Sequence, residues 1–192
     1  SSAVLPVLIA MWFNLEIAGI YFFAFKMTNL PLQLIGVSIG KVFYQKASYL
    51  FNHSKEKLYG FVLKIIGLTS SIVIIPLILL FFFSKDVILI VVGEKWIEAG
   101  TYISILVFML FFRTIISAIS PLADVLNKLH VTFLFSVFMF FTYVLAMYLG
   151  KIYDDFLLAI KIISIAIALL YLAQIIYFLN ILKLQNINKK NS

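Results

Sequence analysis

Five long apolar runs, separated by short connections, constrain this chain more than any other feature of its sequence. They cover about 17–42, 61–83, 102–122, 131–149 and 156–182. Each is long enough to cross a hydrocarbon core of ~30 Å as a helix that rises ~1.5 Å per residue. Residues 1–13 form a shorter apolar run, which we interpret as the end of a helix that begins upstream. The sequence therefore predicts an all-α, polytopic transmembrane helix bundle in a single domain, 1–192, ending in a tail at 183–192.

The composition excludes most other classes of protein. Hydrophobic residues make up 64% of the chain and charged residues 12%, whereas a soluble domain is about half apolar and a quarter charged. The excess apolar surface requires lipid, so a soluble enzyme and a disordered regulator are excluded. Cysteine is absent, which excludes a disulfide scaffold. The lysines are spread over connections instead of forming one basic face, so we expect no nucleic-acid partner.

The distribution of basic residues between alternate connections predicts the orientation. One set of connections, which includes the C-terminal tail, carries Lys41, Lys46, Lys55, Lys57, Lys64, Lys128, Lys183, Lys189 and Lys190, with only Glu56 and Asp124 as acids. The opposite set carries Lys85, Lys95, Lys151 and Lys161 with Glu16, Asp86, Glu94, Glu98, Asp154 and Asp155. Because basic residues are enriched in cytoplasmic loops, the first set and the C-terminus are predicted to be cytoplasmic.

The two longest connections contain short patterns of their own. Residues 47–59 mix aromatic and charged side chains, which predicts a short helix lying in the cytoplasmic interface. Residues 86–93 are apolar but too short to span a bilayer. We expect them to lie in the opposite interface.

A lysine lies deep inside the first long run, where a charge is costly. Lys26 is about nine residues into the run, roughly 13 Å along a helix axis, and a lysine can snorkel only part of that distance. At 100° per residue it shares a face with Gly19, Asn29, Gln33, Gly36 and Gly40. Such a stripe is typical either of a solvated cavity or of a close-packed helix seam. The unpaired cation favours the cavity.

The third long run contains the second intramembrane cation. Arg113 shares a face with Ser117, Ser120 and Asp124, and Pro121 leaves the carbonyl of Ser117 without its usual donor. Two interpretations stay open at this point. Arg113 either lines a cavity or joins an ion-pair network with Asp124.

No pattern in the sequence indicates covalent chemistry. There is no histidine–carboxylate cluster, no nucleophile motif and no glycine-rich phosphate loop. We therefore expect a protein that is not an enzyme, without catalytic residues, a metal site or a cofactor.

Two motifs resemble one family of membrane exporters. The run GIYFFAFKMTNLP at 19–31, followed by VFY at 42–44, resembles the eighth helix of polysaccharide (O-antigen type) flippases, which belong to the multidrug/oligosaccharidyl-lipid/polysaccharide exporter superfamily. The run GEKWIEAG at 93–100 is similar to an element after that family's ninth helix. Gln45 stands where the family usually has a proline. The resemblance implies a C-terminal six-helix lobe of a twelve-helix exporter, with the first helix truncated and the N-terminal lobe missing.

The resemblance also implies a function. The expected cargo is an oligosaccharide linked to undecaprenyl diphosphate, moved from the cytoplasmic to the periplasmic leaflet of the bacterial inner membrane for surface polysaccharide biosynthesis (O-antigen, capsule or exopolysaccharide). Lys26 would supply charge for the diphosphate, and Asn29 and Gln33 would supply hydrogen bonds. Arg113 would be a further substrate-binding residue if it lines the cavity. The expected partners are this lipid-linked oligosaccharide, membrane lipid and the missing lobe. Two alternatives are a cation-coupled multidrug exporter of the same fold and, less favoured, a fragment of a membrane-embedded polysaccharide polymerase or glycosyltransferase.

Overall fold

α-Helices account for nearly all of the described chain. The computed structural model describes residues 4–190 and the side chains of 5–184. Residues 1–3 of the predicted partial first span and 191–192 of the predicted tail lie outside the described residues. The helices are α1 Val4–Trp12, α2 Leu15–His53, α3 Lys55–Val91, α4 Ile97–Ile119, α5 Leu122–Val125, α6 Leu129–Ile152 and α7 Phe156–Lys190. A 3₁₀ turn, Glu94–Trp96, precedes α4.

Five of these helices are long and apolar enough to cross a membrane. They are α2, α3, α4 with its preceding turn, α6 and α7. The prediction of an all-α, polytopic transmembrane bundle is confirmed, and the chain is a multi-pass membrane protein. Each of the five long apolar runs lies mostly within one of these helices, although the run 102–122 extends past the end of α4 at Ile119.

The first two long helices extend well beyond their apolar runs. Helix α2 has 39 residues and α3 has 37, so they are about 58 and 55 Å long, against a hydrocarbon core of ~30 Å. The separate interfacial helix predicted for 47–59 is wrong, because α2 continues to His53 and α3 begins at Lys55, with only Ser54 between them. Gln45 stands inside α2 where the resemblance led us to expect a proline, and a glutamine keeps the backbone N–H that a helix interior needs.

The second longer connection also differs from the prediction. Helix α3 continues to Val91, so most of 86–93 prolongs the transmembrane helix instead of forming a separate interfacial segment. The turn comes at Gly93, whose φ of 103° is a conformation that favours glycine. The N–H groups of Val92 and Gly93 both donate to the carbonyl of Ile88, which closes the helix end.

Close backbone contact fixes the packing of α4 against α3. The Gly100 Cα lies so near α3 that an added Cβ would be 2.7 Å from the Cα of Lys85. The buried Ser84 hydroxyl donates to the carbonyl of Gly100 at 2.7 Å. Helix α4 also packs against α2 and α7. It is therefore the central helix. In its most apolar stretch of 18 residues, 61% of the residues are buried, against 11% in the corresponding stretch of α6.

The buried core is divided into two apolar clusters along the bundle. On α4, the first cluster ends at Leu110 and the second begins at Ile115. On α7, the first ends at Ile167 and the second begins at Ile175. The level between the clusters holds Arg113 on α4.

Candidate functional site: a polar cavity around Arg113

A cavity of about 180 Å³ lies at the level where the two core clusters meet. Residues of α1, α2, α4, α6 and α7 form its walls, together with Ser120 at the end of α4. Its polar lining residues are Tyr21, Arg113, Ser120, Thr132, Ser136, Tyr143, Tyr171 and Gln174. Its apolar lining residues are Leu5, Phe25, Ile116 and Met139. We call this space the Arg113 cavity.

The guanidinium of Arg113 is held by packing instead of by an acid. Its central carbon lies 5.2 Å from the centroid of the Phe25 ring, a cation–π arrangement across α4 and α2. Tyr21, Tyr143 and Tyr171 line the same cavity as the guanidinium. Within the described part of the chain, no carboxylate forms an ion pair with it. A cation inside a membrane span normally faces a partner, a cavity or water, and here it faces a cavity.

Several polar groups around Arg113 have no hydrogen-bond partner among the described residues. The Gln174 side chain is 5% exposed and its amide is unbonded. The Thr132 hydroxyl is buried and unbonded as well. Tyr143 makes only a long contact of 4.0 Å to the sulfur of Met109. Buried polar groups are nearly always satisfied, so a cavity with this many free donors and acceptors is suited to hold water or a polar ligand.

The groups of the cavity suit a ligand that carries both negative charge and hydroxyls. A guanidinium presents five N–H donors in a planar fork that matches phosphate oxygens. Phenol and amide groups can donate or accept, which fits sugar hydroxyls. Aromatic rings such as Phe25 and Tyr21 add apolar faces to the walls. The arrangement can bind and orient such a ligand.

The polar stripe of Lys26, Asn29 and Gln33 on α2 lies outside the Arg113 cavity. Lys26 is half-buried, and its Nζ lies 5.4 Å from the ring centroid of the exposed Phe22 on the same helix. Asn29 is buried, and its Nδ2 donates to Oε1 of the exposed Gln33 at 3.4 Å. None of Lys26, Asn29 and Gln33 lines the Arg113 cavity. The four predicted site residues are therefore brought into two separate places.

The glycines of the same stripe form a seam with α4. An added Cβ at Gly36 would lie 2.8 Å from Cβ and Oγ of Ser117, and one at Gly40 would lie 3.2 Å from the Ser117 carbonyl oxygen. At Gly19, by contrast, nothing lies within 4 Å. The stripe is thus close-packed only at the end that contains Gly36 and Gly40, and Lys26 lies outside that seam.

The predicted face that joins Arg113 to Asp124 is interrupted. Helix α4 ends at Ile119, and Asp124 belongs to the separate short helix α5, where it is exposed. Pro121 follows the break, and the carbonyl of Ser117 accepts a hydrogen bond from the Ser120 hydroxyl at 3.1 Å. The ion-pair network with Asp124 is absent among the described side chains, so that alternative for Arg113 is wrong.

Sequence reasoning missed most of the cavity, although part of the signal was present. Thr132, Ser136, Met139 and Tyr143 are spaced i, i+4, i+7 and i+11, which places them on one face of α6. Tyr171 and Gln174 are spaced i, i+3 on α7. Each helix shows a short polar stripe, but the sequence does not tell which stripes face one another.

The site contains no arrangement typical of a metal centre. Among the described residues, no group of three or more His, Cys, Asp or Glu side chains could hold a metal ion. The cavity itself offers hydroxyls, one amide and one guanidinium.

Comparison with known proteins identifies a family. Residues 1–101, which cover α1 to α3 and the beginning of α4, match a protein family described as polysaccharide biosynthesis protein. The match covers both of the motifs at 19–31 and 93–100. No curated protein and no solved structure matches the chain.

Proposed function

The chain belongs to the polysaccharide biosynthesis protein family, and from this premise we propose that it acts in a flippase for lipid-linked oligosaccharide. The cargo is an oligosaccharide attached to undecaprenyl diphosphate, and the step is its transfer from the cytoplasmic to the periplasmic leaflet of the bacterial inner membrane. The step is transport, with no covalent bond made or broken. The product supplies surface polysaccharide biosynthesis.

The observation that carries this proposal is the set of unbonded polar groups around Arg113. A diphosphate cannot enter hydrocarbon without cations and donors, and sugars need partners for many hydroxyls. The guanidinium, the phenols and the Gln174 amide offer these groups inside a membrane protein. A multidrug exporter for cationic compounds is less well supported, because a cavity with an unpaired cation and no carboxylate among its lining residues repels such cargo.

Lys26 has a second role in the proposed mechanism. It is half-buried on α2, outside the Arg113 cavity, where its ammonium can meet anionic cargo before or after the cargo reaches Arg113. Asn29 and Gln33, one turn apart on the same helix, supply amides beside it. We propose that this chain forms the C-terminal lobe of the exporter and that rocking against an N-terminal lobe exposes the cations alternately to the two sides.

Transport by the purified protein tests the proposal. The complete exporter is reconstituted in liposomes that contain a fluorescent undecaprenyl-diphosphate oligosaccharide, and a glycosidase outside reports the fraction of cargo in the outer leaflet. We expect the wild-type protein to equilibrate the two leaflets. Arg113→Gln should slow this strongly, whereas Lys95→Gln, at an exposed lysine outside the cavity, should not. Equal rates for Arg113→Gln and wild type would refute the assignment of the cavity.

The orientation has its own test. The distribution of lysines places Asn52 on the cytoplasmic side and Glu94 on the periplasmic side in our proposal, and both residues are exposed. Single cysteines at these positions can be probed in intact cells with a membrane-impermeant thiol reagent. Labelling at position 94 alone is expected. Labelling at position 52 alone would reverse the orientation.

A further inference from the structure

A wholly apolar groove runs between α3 and α4 on the outer surface of the bundle. Its volume is about 330 Å³. All of its lining side chains are apolar, and four of them are phenylalanines: Phe81, Phe108, Phe111 and Phe112. Several lining residues are exposed, including Ile74, Ile78 and Phe81. The groove is therefore open to the lipid phase and deep enough to receive a hydrocarbon chain.

A second pocket, of about 180 Å³, adjoins this groove and contains a cation. The two share Phe81 and Phe108, whose rings meet edge to face with centroids 5.8 Å apart. The second pocket is also lined by Lys161, Ser104 and Ser164. Lys161 is exposed and, in the part of the chain that the structure describes, forms no ion pair.

The order of the two pockets along the helices matches the order of the headgroup and the acyl chains in a lipid. Lys161 lies five residues after the start of α7 at Phe156, roughly 8 Å along the helix. The groove extends from Phe81 towards Ile74, about another 10 Å along α3 and away from the C-terminal end of α3 at Val91. The cation is thus near one membrane surface, and the apolar groove leads from it towards the middle of the bilayer.

The single positive charge of the second pocket favours an anionic lipid. The hydroxyls of Ser104 and Ser164 already donate to the carbonyls of Thr101 and Ile105. Lys161 is then the one free cationic donor of this pocket. A single ammonium matches the single negative charge of a phosphodiester, whereas a diphosphate needs more donors. Interfacial lysines attract anionic lipid headgroups in this way.

We propose that these two pockets form a binding site for one anionic phospholipid. Its phosphate contacts Lys161, and one of its acyl chains fills the groove between α3 and α4. The site is separate from the Arg113 cavity, since the two share no lining residue. It therefore does not depend on the proposed transport function.

Native mass spectrometry of the purified chain tests this site with two lipids of equal chain length. Phosphatidylglycerol carries one negative charge, and phosphatidylethanolamine is zwitterionic. We expect the wild-type chain to retain one phosphatidylglycerol in preference to phosphatidylethanolamine. Lys161→Gln should reduce that preference about fivefold, the effect of one interfacial charge. Lys161→Arg should keep most of it.

Two further variants separate the headgroup contact from the groove. Lys85→Gln is the matched control, because Lys85 is an exposed lysine on α3 outside both pockets, and it should leave retention unchanged. Ile78→Trp should fill the groove and reduce retention of both lipids. Circular dichroism confirms that each variant is folded.

Three outcomes would overturn the proposal. The first is equal retention of the two lipids by the wild-type chain. The second is unchanged preference in Lys161→Gln. The third is displacement of bound phosphatidylglycerol by an equimolar amount of undecaprenyl diphosphate, which would assign the site to the transported lipid instead of a bilayer phospholipid.

Discussion

The two intramembrane cations share a similar sequence context but occupy different surroundings. Lys26 and Arg113 each lie on a stripe of small and polar residues, with a proline nearby. Arg113 faces a cavity built from five helices, whereas Lys26 is half-buried beside the exposed Phe22. Gly36 and Gly40 on the Lys26 stripe pack against α4 without involving the lysine. A polar stripe thus identifies a helix face, and the neighbouring helices decide what that face does.

The largest effect is expected at Arg113. Arg113→Gln removes a cation with no ion-pair partner among the described side chains, so folding loses little, while a charged hydrogen bond to cargo is lost. We expect transport to fall about 10- to 100-fold, since hydrogen bonds to charged groups contribute ~1.5–3 kcal/mol. The measurement is the leaflet-exchange rate in liposomes, with protein abundance from immunoblots. Arg113→Lys should retain part of the rate, because the charge stays but the planar fork is lost.

A second experiment compares two glycines on the α2 stripe by thermal unfolding in detergent. Gly36→Ala forces a Cβ to within 2.8 Å of Ser117 and should destabilise the protein by about 1–3 kcal/mol. Gly19→Ala is the matched control on the same helix, where nothing lies within 4 Å. It should be neutral or stabilising by up to ~1 kcal/mol.

The double variant Gly36→Ala, Ser117→Gly checks the cause of that loss. It removes the side-chain atoms nearest the new Cβ and should recover part of the stability. Equal unfolding temperatures for Gly36→Ala and Gly19→Ala would show that the seam is absent from the folded protein.

The phenols of the Arg113 cavity should affect transport without affecting stability. Tyr171 lines the cavity, and its hydroxyl has no hydrogen-bond partner in the described structure. Tyr171→Phe should lower the transport rate about two- to tenfold, the effect of one neutral hydrogen bond. The unfolding temperature should change little, because the substitution removes no hydrogen bond among the described residues. Tyr177→Phe, on the same helix but outside the cavity, is the control, and a comparable loss there would argue against a cavity effect.

The smallest effect is expected at Lys26. Because its ammonium is half-buried and outside the Arg113 cavity, we expect Lys26→Gln to slow transport by no more than about fivefold, as for a solvent-screened charge contact. The same liposome assay at low and high salt checks this, since screening should reduce the difference from wild type. A loss as large as that of Arg113→Gln would mean that both cations belong to one binding surface, against the separate surroundings assigned to Lys26 and Arg113.

Much of the fold follows directly from the sequence. A hydrocarbon core leaves helices as the only way to satisfy the backbone of an open apolar chain. The five apolar runs therefore determine five spanning helices, and the intramembrane charge of Arg113 indicates a position that needs a partner, a cavity or water. Helix ends were harder to predict, because α2 and α3 continue past the membrane boundary until Ser54 and Gly93 end them.

Only the tertiary structure decided which polar helix faces lie against one another. Tyr21, Arg113, Tyr143 and Gln174 lie on four different helices, and no spacing along the chain relates one helix's rotation to another's. That rotation is fixed by close packing, as where Gly100 contacts the backbone of Lys85 and Gly36 contacts Ser117. The sequence by itself determined the number of spans and the presence of two intramembrane cations. Helix packing turned one of them towards a shared polar cavity and left the other beside an exposed ring, because shape complementarity between helices is a property of pairs and not of any single helix.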